Sequence, residues 1–192
     1  MAGHFQEFED EYLETMYEFY EHDATSRVRT GDLAERLGVS PASATEMIQR
    51  LSGKGFIDYK RYKGAKLTQK GLEHGRMMKR RHRLAEVLLD RIPFDGNTHE
   101  TACRLEHAID DDLEVALTVL LGNPMIDPSG REIPRSGDHL EQRVESFIET
   151  HVPLSQLASK ESGTIQALLL SDTLQSLFGA SLPLKNTIPA HG

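Results

Sequence analysis

The segment THETACRLEHAI holds side chains of the kinds that bind transition metals. They are spaced i, i+4, i+7 and i+8, at His99, Cys103, Glu106 and His107. On an α-helix this spacing would place all of them on one face. Imidazole, thiolate and carboxylate groups together favour a first-row transition metal, because Mg²⁺ or Ca²⁺ would take oxygen ligands alone. The pattern therefore predicts a metal site.

Two further ligand types precede this segment. His82 and Glu86 form an i, i+4 pair on a predicted long helix. Each candidate also has an ordinary structural explanation: Cys103 as a small core residue, His82 as part of a basic patch, and Glu86 as a surface acid. Taken together, candidates of these types on two adjacent helices favour metal binding over coincidence.

The net charge of -8 conceals a basic block. Residues 26–83 contain 15 Lys+Arg against 5 Asp+Glu, which leaves 7 against 25 for the rest of the chain. Such a local surplus is typical of a surface that binds phosphates. One segment of the block, TGDLAERLGVSPASATEMIQRLSGKG, predicts two short helices, the second capped by Ser40. The next segment, FIDYKRYKGAKLT, predicts a hairpin closed near Lys63 and Gly64. These elements predict a winged helix-turn-helix.

The remaining elements are predominantly helical. We expect a first helix over about residues 8–21. A long helix capped by Thr68 should follow, with its basic stretch KRRHR near the DNA and its apolar stretch AEVLL in a core. A helix capped by Thr98 should run through Ile109, and DDDLEVALTVLL should form another. These last three helices suit a dimer interface. A Gly- and Pro-rich segment marks a boundary near residue 138, and the final 54 residues suggest a short β-rich module.

The predicted fold class is therefore mainly α. Its expected domains are a winged helix-turn-helix over 1–72, a helical metal-binding and dimerisation domain over 73–138, and a C-terminal segment over 139–192. No stretch approaches the roughly 20 apolar residues of a membrane span, so we expect a cytoplasmic protein with no membrane partner. The only cysteine cannot form an intrachain disulfide, which leaves Cys103 as a core residue, a reactive thiol or a metal ligand.

The ordered motif HETACRLEH is specific to one family. With EYLETMYEF, DLAERLGVSPASATEMIQRL, KLTQKG and RHRLAE, it resembles the diphtheria toxin repressor-like regulators over about residues 7–138. The resemblance implies a winged helix, a helical dimerisation domain and often an SH3-like C-terminal domain, which the tail resembles only faintly. It also implies a repressor of metal-homeostasis genes that binds double-stranded operator DNA as a homodimer when Fe²⁺ or Mn²⁺ is bound.

The resemblance implies two metal sites per subunit. The primary site would consist of Glu11, Cys103, Glu106 and His107. The ancillary site would consist of His82, Glu86 and His99. The family can place two more ligands at Leu170 and Thr173, where this chain has no matching side chains.

The two branches of the family differ in their ligands. The iron branch usually has Met at the position of Glu11, whereas the manganese branch has acids at the positions of Glu11 and Glu14. Glu14 is either a bridging ligand or an exposed acid. Cys103 and the complete ancillary set follow the iron branch, and thiolate is a softer donor than carboxylate. We therefore expect Fe²⁺ in preference to Mn²⁺.

DNA contacts are assigned by analogy with the same family. The base-facing candidates are Ser40, Ala42, Ser43, Thr45 and Glu46. The phosphate-binding candidates are Arg50, Lys60, Arg61 and Lys63.

Two other functions remain open. A winged-helix regulator could sense redox state or a small molecule through Cys103, in which case Glu106→Ala should be tolerated. A zinc hydrolase could also use His, Cys and Glu, but no HExxH or CxxC motif accompanies them and the winged helix would be unexplained.

Overall fold

The computed structural model describes residues 3–150, with side chains from residue 7 to residue 149. Its elements in chain order are α1 (Gly3–His22), α2 (Thr30–Arg36), α3 (Pro41–Gly53), β1 (Ile57–Lys60), β2 (Gly64–Leu67), α4 (Gln69–Arg91), α5 (Thr98–Leu105), a 3₁₀ turn (Glu106–Ala108), α6 (Asp111–Leu120) and α7 (Asp138–Thr150). The predicted mainly α class is confirmed. Among these helices none is long and apolar enough to cross a membrane.

The helix-turn-helix forms as the sequence predicts. The Ser40 hydroxyl accepts a hydrogen bond from the Ser43 backbone N–H at 3.1 Å, and Pro41 occupies the first helical position. Helix α3 buries one apolar face, consisting of Ala44, Ile48 and Leu51, in a core shared with α1 and α2. The opposite face of α3 is exposed.

The wing is an antiparallel hairpin with Ile57 opposite Leu67 and Lys60 opposite Gly64. Val28, which lies before α2, pairs with Ala65 through two backbone hydrogen bonds of 2.9 Å. Gly64 has φ +92° and lies so close to Val28 that a Cβ atom would collide with the backbone. The hairpin is thereby fixed at its base to the helical core.

Helix α4 runs without interruption across the predicted domain boundary between residues 72 and 73. Thr68 caps it by accepting a hydrogen bond from the Gly71 backbone N–H at 3.2 Å. Gly75 lets α1 approach closely, because a Cβ atom there would lie 2.6 Å from the Leu13 carbonyl oxygen. One helix therefore connects the winged helix to the rest of the described chain.

The charge block suggested that the basic stretch of α4 faces solvent, but the structure buries it. Lys79, Arg80, Arg81 and Arg83 are all buried. Arg80 and Arg81 donate to the two oxygens of Glu114 at 2.9 and 3.0 Å, and Arg83 pairs with Glu21 at 2.8 Å. Acids from α1 and α6 thus neutralise these cations, which leaves them unavailable to phosphates.

The predicted helix through Ile109 is shorter than expected, and its cap is Asn97 in place of Thr98. The Asn97 side chain accepts from the Glu100 backbone N–H at 3.1 Å, and α5 ends at Leu105. The 3₁₀ turn then tightens the chain before Ile109 adopts an extended conformation. The prediction that all four ligand candidates share one α-helical face is therefore wrong, because Glu106 and His107 belong to the turn.

The first part of the expected C-terminal segment is helical. Helix α7 packs Leu140 and Val144 against Val115 of α6. The rest of the segment predicted to be β-rich, including Leu170 and Thr173, lies outside the described residues.

Glu18 joins α1 to two cations. It pairs with Lys79 and accepts a hydrogen bond from Arg36 at 2.8 Å. Burial alone would raise its pKa, but Lys79 and Arg36 lower the pKa of Glu18 to about 2. Because a carboxylate with a depressed pKa stabilises the folded state above its unfolded pKa near 4.5, this contribution is lost as the pH falls toward 2.

We therefore expect Glu18→Gln to lower the free energy of unfolding at pH 7 by on the order of 2 kcal/mol. The difference from wild type should shrink below pH 4.5 and disappear near pH 2 in urea titrations monitored by circular dichroism. Glu35→Gln, which alters an exposed acid of α2, is the control. A difference independent of pH would show that Glu18 acts through packing instead of charge.

Candidate metal centre

His82 lies at the centre of the candidate ligands and is 1% exposed. Its Nδ1 atom donates to Glu106 Oε2 at 2.6 Å and lies 3.9 Å from Glu14 Oε1. Its Nε2 atom lies 3.3 Å from Glu86 Oε1, one turn further along α4. Three segments, α1, α4 and the 3₁₀ turn, therefore meet at a single imidazole.

The candidate ligands of α5 also lie close to His82. Cys103 Sγ is 3.9 Å from both His82 Nδ1 and His99 Nε2. His99 Nδ1 lies 3.5 Å from Glu86 Oε1. Ligand atoms of His82, His99 and Cys103 all fall within 4.8 Å of one another, and so do those of Glu14, His82 and Glu106. The structure thus contains two overlapping ligand groups that share His82.

The burial of these residues tests the ordinary explanations for them. His82 and Glu86 are both buried, so neither is part of an exposed basic patch or a surface acid. Glu14 is buried as well, which contradicts the alternative that it is an exposed acid of α1. Cys103 is partly exposed, at the edge of the apolar core. The arrangement favours ligand roles over packing roles.

His107 belongs to the same centre. Its Nε2 atom lies 3.5 Å from Glu106 Oε1, and its Nδ1 atom lies 3.5 Å from Asp10 Oδ2. Asp10 also bonds His74 Nε2 of α4 at 2.6 Å. A carboxylate behind a metal-binding histidine orients the ring and strengthens its donor nitrogen, and Asp10, which was not predicted from the sequence, lies where it could act on His107 in this way.

Glu11 lies at the exposed rim of this centre. Partial desolvation and the charge of Glu14 raise the pKa of Glu11, while His107 opposes the shift. The charges of Glu14 and His107 therefore both act on Glu11. Glu11 lies beside the other candidates for the primary site and makes no direct contact with Cys103.

The electrostatics favour a cation at the centre. Burial alone would lower the pKa of His82, yet hydrogen bonds to Cys103, Glu106 and Glu86 raise it to about 11. Burial raises the pKa of Glu106 to about 7, with repulsion from Glu14 adding to the shift and His82 opposing it. A protonated His82 therefore supplies the positive charge that these acids require.

One buried atom matches what a metal would need. Within the described residues His82 Nε2 has no hydrogen-bond partner of good geometry, and its contact with Glu86 Oε1, 3.3 Å away, is an ion pair only. An unpaired buried nitrogen is costly unless something binds to it. With thiolate, imidazole and carboxylate donors around it, the donor set fits a first-row transition metal.

Glu86 has a second partner that the sequence did not reveal. Its Oε2 atom accepts from Arg131 Nη2 at 2.7 Å, and Arg131 Nε in turn donates to Asp127 Oδ2 at 2.7 Å. The Arg131 side chain is 43% exposed. Only one oxygen of Glu86 thus faces the two histidines.

The predicted DNA contacts are mostly displayed on the surface. The exposed candidates are Ser40, Ala42, Ser43, Glu46, Lys60, Arg61 and Lys63. Thr45 is half-buried, and its hydroxyl donates to the Pro41 carbonyl at 2.7 Å. Arg50 is exposed as well and forms an ion pair with Glu9 of α1 at 2.7 Å. Gln49, one turn from Glu46, is also exposed and was not among the predicted contacts.

Comparisons with known proteins agree with this geometry. Residues 4–65 match the family described as iron dependent repressor, N-terminal DNA binding domain. Residues 68–135 match iron dependent repressor, metal binding and dimerisation domain. Together these matches cover about two thirds of the 192 residues.

Individual relatives extend the comparison. An HTH-type transcriptional regulator of Methanocaldococcus jannaschii is 32% identical over 114 residues, which are 58% of this chain and 90% of that protein. The iron-dependent repressor IdeR of Mycobacterium tuberculosis is 35% identical over 127 residues, which are 64% of this chain and 54% of IdeR. The solved structure of the manganese regulator SloR superposes with a TM-score of 0.60 and 30% identity, over 68% of this chain and 60% of that one. The chain thus matches only a little over half the length of IdeR.

A winged helix joined by one long helix to a group of candidate metal ligands is typical of a transcriptional regulator, and the relatives and structural neighbours are transcriptional regulators. The chain belongs to the iron-dependent, diphtheria toxin repressor-like family.

Proposed function

We propose that the protein is a metal-dependent repressor of metal-homeostasis genes in the cytoplasm, which binds operator DNA as a homodimer when Fe²⁺ or Mn²⁺ is bound. The observation that supports this most directly is the meeting of α1, α4 and the 3₁₀ turn at His82. Helix α1 belongs to the winged-helix core, so occupancy of the centre affects how the DNA-binding elements are held.

The proposed sites keep the composition that the family resemblance implies. The primary site consists of Glu11, Cys103, Glu106 and His107. The ancillary site consists of His82, Glu86 and His99. A bound dication would supply the positive charge that His82 otherwise carries, and it would bind donors from separate elements together. His82 would release its proton, Asp10 would hold His107, and Glu11 would move inward from the rim.

This coupling explains how the site would control DNA binding. When α1 is held against α4, the two recognition helices of a dimer keep a fixed separation. When α1 is loosely held, ordering it on the operator costs free energy and weakens binding. The match of residues 68–135 to a metal binding and dimerisation domain supports a dimer surface in the helical domain.

The choice of metal depends on which donors dominate. Cys103 Sγ lies 3.9 Å from two imidazole nitrogens, and a thiolate with histidines favours Fe²⁺ over Mn²⁺. Glu11 would add an oxygen donor that suits Mn²⁺. We propose Fe²⁺ as the activating metal, with Mn²⁺ as the alternative.

Anaerobic fluorescence anisotropy with the DNA upstream of this gene tests the proposal. Binding should be weak in chelator and should tighten on addition of Fe²⁺ or Mn²⁺, with Fe²⁺ effective at the lower free concentration. Equal affinity with and without metal would overturn the proposal. Binding that instead responded to thiol oxidants would favour a redox sensor acting through Cys103.

The wing and the recognition helix should contribute differently to DNA binding. Lys60 and Arg61 are exposed on the wing, and phosphate contacts are independent of sequence. Lys60→Ala with Arg61→Ala should weaken binding to all sequences alike and reduce the slope of log affinity against log salt by about two. Thr45→Ala should change the preference among operators by about 1 kcal/mol.

Competition binding against a panel of base-substituted operators, repeated at several salt concentrations, measures both effects. Arg135→Ala, at an exposed position between α6 and α7, serves as a basic control away from the wing. A sequence-selective effect of the wing double variant would contradict this division of roles.

A further inference from the structure

Lys79 places a permanent positive charge beside the candidate ligands. Its Nζ atom donates to Glu14 Oε1 at 2.9 Å and also pairs with Glu18, one helical turn further along α1. The Lys79 side chain is only 3% exposed, and that of Glu14 is 10% exposed. The ammonium group is therefore held between two carboxylates, away from water.

The oxygen that Lys79 binds is the one that a metal would need. Glu14, His82 and Glu106 are all buried, and their ligand atoms lie within 4.8 Å of one another. Glu14 Oε1 is the atom that lies 3.9 Å from His82 Nδ1. A dication bound to this group would lie next to the ammonium, and charges repel strongly where no water screens them.

The ammonium group has little freedom to leave. The Lys79 side chain is 3% exposed, and it contacts the carboxylates of Glu14 and Glu18 at the same time. Arg131 provides a contrast on the other side of the centre. It also neutralises a candidate ligand, Glu86, but its side chain is 43% exposed and can turn outward into solvent.

We propose that Lys79 is a specificity-determining residue that takes the place of a metal ion at Glu14. This inference rests on the proposed function, because it concerns which ligands of the same centre bind metal. Glu14 then serves as the counter-ion of Lys79, and metal binds only through the sites that contain Cys103 and His99. The chain thereby excludes a second, carboxylate-rich metal position next to the first.

Metal counting tests this without any DNA. Purified full-length protein is equilibrated with Mn²⁺ alone, bound metal is measured by elemental analysis, and pairs of neighbouring Mn²⁺ ions are detected by their spin coupling in electron paramagnetic resonance. Wild type and Glu14→Gln should bind the same number of ions per chain. Lys79→Met should bind one more, spin-coupled to a neighbour, and Lys79→Met with Glu14→Gln should lose it again.

Lys70→Met, the same change elsewhere on α4, is the matched control and should keep the wild-type count. If Lys79→Met loses its helical circular dichroism signal, it is replaced by Lys79→Met with Glu18→Gln, which also removes a carboxylate that has lost one of its two cations. The comparison of metal counts between wild type and Glu14→Gln does not depend on any Lys79 variant, so it tests the proposal even if none of them folds.

Loss of one ion from Glu14→Gln, or an unchanged count in folded Lys79→Met, would overturn the role of Lys79 and leave the proposed function intact. A wild-type protein that bound no metal would overturn both.

Discussion

Glu106→Ala should abolish the response of DNA binding to metal and weaken metal binding itself by at least about 100-fold. Loss of a residue that only supports a ligand commonly costs 10- to 100-fold in metal affinity, and Glu106 is a proposed ligand. It is 2% exposed, with one oxygen 2.6 Å from His82 Nδ1 and the other 3.5 Å from His107 Nε2. Its removal therefore affects both proposed sites.

The measurement combines calorimetric titration with metal and anisotropy on operator DNA. Glu100→Ala, an exposed acid in the first turn of α5, is the matched control and should behave as wild type. Affinity for DNA in chelator should be similar in all three proteins, because Glu106 does not belong to the DNA-binding face. Metal activation preserved within about threefold in Glu106→Ala would instead support a sensor that acts through the thiol alone.

Glu114→Ala should lower the free energy of unfolding by about 3–5 kcal/mol. Glu114 is 1% exposed, and its two oxygens accept from Arg80 and Arg81 at 2.9 and 3.0 Å. Arg80 keeps only its neutral partners, Thr118 Oγ1 at 2.9 Å and the Pro134 carbonyl at 2.8 Å. Removal of one member of a buried ion pair is costly because the remaining charge stays buried without compensation.

Urea denaturation monitored by circular dichroism measures this loss. Glu145→Ala, at an exposed position of α7, should change stability by less than about 0.5 kcal/mol. A loss below about 1 kcal/mol in Glu114→Ala would mean that water reaches Arg80 and Arg81 when their partner is removed.

The local features of the fold could be predicted because their causes lie within a few residues. Ser40 and Thr68 each accept a hydrogen bond from a backbone N–H three residues later, and the hairpin follows from alternation around a short turn. The start of α5 was placed one residue too late, because Asn97 and Thr98 are both acceptable N-terminal caps. The tightening into a 3₁₀ turn likewise left no clear sign in the residue pattern.

The ion pairs of the centre could not be predicted, because their partners are distant in the sequence. Glu14 and Lys79 are 65 residues apart, and Glu86 and Arg131 are 45 residues apart. The count of charges along the chain predicted that the basic stretch of α4 binds DNA phosphates. In the folded chain these basic residues instead form ion pairs with acids of α1 and α6. The ligand types were evident from composition and spacing, but their counter-ions were not.

The continuity of α4 across residues 72 and 73 limits how this chain could be recombined with others. The first 72 residues carry Glu14, Glu18 and Glu21, and their cationic partners Lys79 and Arg83 lie beyond that point. In a chimera joined there to an unrelated helix, these acids would lose the cations that Lys79 and Arg83 supply, because an unrelated helix would not carry basic residues at the matching positions. The DNA-binding half can therefore be transplanted only together with α4 as far as Arg83, which is about the first four turns of that helix.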